Sequence, residues 1–140
     1  MEETDVHRPA AERPLRFEIE HPGEYAEYLL HSKSEIASVF RSLIQRRAPV
    51  GAYFEQGRSF LVTSVLALDT ETGELILDAG RDDDVYRQAL LADKLILSAT
   101  LDKVKIQFVL SHLSEIWNAG RPAFRAELPD VVLRLQRREY

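Results

Sequence analysis

The spacing of apolar residues changes abruptly at Pro49, and this change limits what the chain can fold into. Before it, Ile36, Val39, Phe40, Leu43 and Ile44 recur at the three-and-four spacing of one helical stripe. After it, the period drops to two and stays there for most of the remaining sequence. Ser32 and Glu35 fit a capping box at the helix start, where a hydroxyl and a carboxylate satisfy free amides. Arg46 and Arg47 stand at its end, where the helix dipole favours cations, and Pro49 stops it. The chain is therefore expected to be mainly β, with one amphipathic helix in front.

Val50–Glu55 reads as a first strand, turned by Gln56-Gly57. Ser59–Leu68 reads as one long strand. Phe60, Val62, Leu66 and Leu68 fall on one face, and Leu61, Val65 and Ala67 on the other. A strand apolar on both faces is expected to be covered on both. Asp69–Gly73 is a turn and Glu74–Asp78 a third strand. Lys94–Leu101 and Lys103–Leu110 follow, joined near Asp102. In the latter, Val104, Ile106, Phe108 and Leu110 alternate with Lys103, Lys105 and Gln107, the pattern of a half-buried antiparallel strand. Asn118–Arg121 turns into Pro122–Leu128, while Ser111–Trp117 fits either a strand or one helical turn, with Trp117 packed at an edge. After Pro129, Val131, Leu133 and Leu135 alternate with Val132, Arg134 and Gln136. About six strands at short spacing point to a small antiparallel barrel.

Charge is unevenly placed. Residues 1–31 hold eight acidic side chains against three arginines, and the rest of the chain balances 15 against 15. The balanced body offers no broad basic face, which argues against nucleic-acid binding. Residues 1–23 read as a disordered or loosely attached acidic segment. No apolar run is long enough for a membrane span, and no secretory signal is visible. The absence of cysteine removes disulfides, thiolate metal sites and cysteine nucleophiles.

Catalytic patterns are wanting. No glycine-rich phosphate loop and no nucleophile elbow occurs. Ser111, His112 and Glu115 are close in sequence, but their spacing specifies no triad. His7, His21 and His31 follow no ligand spacing. Asp82, Asp83 and Asp84 precede a short helix read over Val85–Ala92, so capping is favoured over metal binding. No resident cofactor or metal is expected.

The chain closes on Leu135-Gln136-Arg137-Arg138-Glu139-Tyr140. Taken in order, the helix with Ile36 and Leu43, then Leu75-Ile76-Leu77-Asp78, Val104–Phe108, Gly120-Arg121-Pro122-Ala123-Phe124, Leu128-Pro129 and this ending resemble the N-terminal domain of YcgR-type flagellar brake proteins, the PilZN domain. The likeness covers roughly residues 24–140, with 24–134 as the domain and 135–140 as the start of a linker.

The resemblance implies a six-stranded split β-barrel, similar in shape to flavin-binding split barrels. It implies a non-enzymatic, cytoplasmic regulator acting at the flagellar basal body. There a following PilZ domain binds cyclic di-GMP and the protein contacts motor or switch components. In such proteins the dinucleotide is held by an RxxxR linker motif and a later D/NxSxxG motif. Arg138 matches the first arginine of RxxxR and Arg137 the residue before it. The second arginine would fall past Tyr140, and D/NxSxxG is absent. Arginine suits phosphate through paired, charge-assisted hydrogen bonds, but two arginines at a chain end hold no fixed geometry. The chain by itself is therefore expected to bind cyclic di-GMP weakly or not at all. Two other readings are a flavin (FMN)-binding oxidoreductase-like protein, by fold analogy alone, and a homodimer formed through Ser59–Leu68 or an exposed edge.

Overall fold

The computed structural model describes residues 16–136. Two 3-10 turns, Glu18–Glu20 and Ala26–Tyr28, lead into β1 (Leu29–Leu30) and helix α1 (Lys33–Arg46). Then come β2 (Val50–Phe54), β3 (Ser59–Thr63), β4 (Val65–Asp69), β5 (Glu74–Asp78) and α2 (Asp83–Leu91). The remainder is β6 (Lys94–Leu101), β7 (Val104–Ser111), β8 (Ser114–Asn118), β9 (Arg121–Glu127) and β10 (Val132–Gln136). The strands form two antiparallel sheets, ordered β1-β10-β7-β6-β2-β3 and β4-β5-β9-β8. The fold is mainly β, but it is two open sheets rather than one closed six-stranded barrel.

Ser64 explains the difference. The run Ser59–Leu68 is two strands, one in each sheet. At the break the Ser64 carbonyl accepts the Asp78 N–H at 2.9 Å, and the Thr63 hydroxyl donates to the Asp78 carbonyl at 2.6 Å. A register shift between Val65 and Ala67 completes the change of direction. Both pieces are edge strands, and the expected cover on both faces is missing. Leu61 and Val65 are buried, while Phe60 is 47% and Val62 53% exposed.

The helix α1 lies where the stripe places it. The Ser32 hydroxyl accepts the Glu35 N–H, and Ile36, Val39, Phe40 and Leu43 are buried. Phe40 meets Phe108 of β7 edge to face, with ring centroids 4.8 Å apart. Burying a side chain of this size contributes about 1.5–3 kcal/mol. Arg47 ends the helix in the left-handed conformation, and the Ala48 N–H returns to the Leu43 carbonyl at 3.1 Å.

Helix α1 is not the first packed element. From Phe17 onward, the acidic segment expected to be loose through residue 23 is folded onto the sheet, with Phe17 and Glu18 buried. Phe17 supplies the apolar anchor, its ring centroid 5.1 Å from that of Tyr53. This strap also reaches β10. Val132 enters the main core, and Leu133 and Leu135 are buried as well, so the strand is covered on both faces rather than polar on one.

The helix α2 begins two residues earlier than its apolar pattern suggests. Asp82 is its cap, accepting the N–H groups of Asp84 and Val85 at 2.9 and 3.2 Å. The ambiguous stretch after β7 becomes β8, entered through His112 at a φ of 58°. Trp117 on that edge strand is 67% exposed rather than packed.

Candidate functional site

The two expected ligand residues, Arg137 and Arg138, lie outside the described residues, and the strand leading to them fixes where the chain leaves the sheet. Gln136 pairs with Val104, and Val104 with Leu101. The tail therefore departs beside the β6–β7 hairpin, whose Asp102 and Lys103 both have positive φ. Arg46 at the end of α1 grips that hairpin, donating from both guanidinium ends to the two Asp102 carboxylate oxygens at 2.7 and 2.8 Å. The pairing lowers the Asp102 pKa and raises that of Arg46. Arg134 stands exposed on β10, two residues before the strand ends. The root of the tail is thus held by a rigid strand end and a braced hairpin.

The outer face of the larger sheet carries a second constellation. Glu18 of the strap accepts from Lys105 Nζ at 2.7 Å and from Gln107 Nε2 at 3.0 Å. The Gln107 amide oxygen in turn accepts the Ile19 N–H at 3.0 Å. Burial pushes the Glu18 carboxyl up, but Lys105, its own backbone and Gln107 together outweigh burial, and its pKa is lowered. Glu20 pairs with Lys94 at 3.1 Å. Sequence reasoning missed this clamp. The alternation of Lys105 and Gln107 marks the polar face of a half-buried strand, yet the strap covers that face. Phe17, an aromatic residue within an acidic stretch, was the available signal.

Beyond the strap the same face opens into a cleft of about 740 Å³ between Phe17, Tyr53 and the end of α2 at Leu91. Tyr53 also stacks on Phe60, centroids 4.8 Å apart. Elsewhere, Tyr86 of α2 donates its hydroxyl proton to the Ala123 carbonyl at 2.9 Å, and burial and the Glu115 carboxylate push its pKa up to about 12. That tyrosine is a strut between helix and sheet. Among the described residues no three histidine, aspartate or glutamate side chains are grouped to hold a metal ion. No described helix is long and apolar enough to cross a membrane.

The sequence matches the family described as "Flagellar regulator YcgR, PilZN domain" over residues 28–134. The chain belongs to the PilZN family. Among curated relatives, the flagellar brake protein YcgR of Nitrosospira multiformis is 37% identical over 119 residues, which cover 85% of this chain and 46% of the relative. The PilZN chain spans about half the length of the curated relatives it matches. Its fold recurs among solved structures. The YcgR-N domain of Escherichia coli YcgR superposes with a TM-score of 0.74 at 20% identity, covering 79% of this chain and 97% of that one. Escherichia coli YcgR in complex with c-di-GMP gives 0.77 at 22% identity, covering 83% and 50%. The family match begins at residue 28, so the strap from Phe17 to Glu27 lies ahead of it.

Proposed function

We propose that this PilZN domain is the non-catalytic half of a flagellar brake, acting with a PilZ domain that binds cyclic di-GMP and passing that signal to the flagellar motor. The observation that carries the reading is the family match across residues 28–134 together with relatives called flagellar brake proteins. Arg137 and Arg138 are the start of the ligand-gripping linker. They follow directly on β10, whose last residue pairs beside the hairpin that Arg46 and Asp102 brace. The domain itself holds no resident cofactor in this reading, and it works in the cytoplasm at the motor. The flavin alternative draws support only from fold likeness.

A chimera tests the proposal. This chain replaces the corresponding half of a relative's brake protein in a strain lacking its own brake. The expected result is slower swimming when cyclic di-GMP is raised. A chimera that folds and binds the dinucleotide yet leaves swimming unchanged would contradict it.

A further inference from the structure

The cleft on the outer sheet face combines an apolar floor with an acidic rim. Phe17 and Tyr53 make the floor. Leu91, the last residue of α2, stands at its edge 83% exposed, the most exposed large apolar side chain among the described residues. Glu20, Glu55 and Asp93 line it against a single cation, Lys94, which Glu20 already engages. Glu55 is held in place: its backbone has a φ of 55°, and the Ser59 hydroxyl donates to its carboxylate.

We infer that this cleft is a docking site for a basic segment of a partner protein, an apolar anchor flanked by lysine or arginine. Exposed leucine beside an aromatic floor gains by being covered. The net negative rim selects the sign of what covers it. Phosphate-bearing ligands are repelled by that rim. The chain's own residues 1–15 carry four carboxylates (Glu2, Glu3, Asp5, Glu12) against Arg8 and Arg13, the wrong sign. A second copy brings a net charge of −5, which opposes association at long range. The cleft also lies away from the end of β10. It sits at the Lys94 end of β6, whereas the chain leaves beside Leu101 at the other end, about 23 Å away at the rise of a strand. A partner can dock while the C-terminal exit is occupied. The inference stands on the cleft and does not depend on the brake reading.

The probe is a fluorescein-labelled peptide of about 14 residues, four helical turns, with leucine and lysine at amphipathic spacing. Its control carries glutamate in place of lysine. Binding is read by fluorescence anisotropy and located by amide chemical shifts. The lysine peptide is expected to bind and the glutamate peptide not, with shifts around Tyr53, Leu91 and Lys94. Leu91→Ser, at a solvent-facing position, is expected to weaken binding about tenfold. Glu55→Gln with Asp93→Asn weakens it and flattens its salt dependence, while Glu71→Gln in the distant β4–β5 turn changes nothing. Absence of binding at millimolar peptide, equal binding of both peptides, shifts confined to another face, or indifference to the Leu91 and Glu55/Asp93 changes would each overturn the inference.

Discussion

Glu18 and Lys105 are 87 positions apart in the chain, and their side chains meet at 2.7 Å. That contact closes the N-terminal strap over the sheet from which the C-terminal tail departs. It sets the strap against β7, the neighbour of the final strand β10, since Lys105 pairs with Leu135.

The pairing makes the strap sensitive to acid. The Glu18 pKa is lowered from 4.5 on folding, so the carboxylate stabilises the folded state above its ordinary value. That contribution disappears as pH falls below 4.5 through the lower folded value. The protection of residues 17–20 against hydrogen exchange, taken relative to the intrinsic amide rate at each pH, is expected to fall over that window. Glu18→Gln abolishes the step and, with Lys105 partly solvated, costs about 1–2 kcal/mol.

The two helix caps differ in strength. Asp82 accepts two N–H groups at 2.9 and 3.2 Å, whereas Ser32 accepts one at 3.4 Å. Asp82→Ala is expected to cost about 1–2 kcal/mol and Ser32→Ala about 0.5 kcal/mol in urea unfolding.

Phe40 is fully buried against Phe108 at the junction of α1 and the larger sheet. Phe40→Ala is expected to cost about 3–5 kcal/mol. Much of the domain's stability would go with it, visible as a large drop in the thermal midpoint.

Gly51 leaves room for the aromatic row above it. A Cβ there would come within 2.9 Å of the Phe60 ring and 3.3 Å of Tyr53. Gly51→Ala is expected to expel the half-exposed Phe60 ring at a cost near 1 kcal/mol. Phe60→Ala in the same chain should remove that extra cost, as a double-mutant cycle would report.

Much of this architecture was legible because its signals are local. The α1 stripe, the Ser32 cap, the Asp102 hairpin and the alternation of β7 each sit within one short window. The sheet break at Ser64 was not legible. Ser59–Leu68 is uniformly strand-like, and only the Ser64 and Thr63 contacts with Asp78, 14 and 15 residues on, divide it. The strap escaped for the same reason, since Glu18 finds its partners across the fold. An acidic stretch with prolines looks solvated until a lysine and a glutamine are brought to it.

The most direct test is a calorimetric titration of cyclic di-GMP into this chain, beside the same chain extended through a PilZ half taken from a relative. The account predicts tight binding to the extended protein and little or none to the chain by itself, with Arg138→Ala in the extended form weakening it at least about tenfold. Low-micromolar binding to the short chain would mean the domain holds its own dinucleotide pocket, and the account would be contradicted.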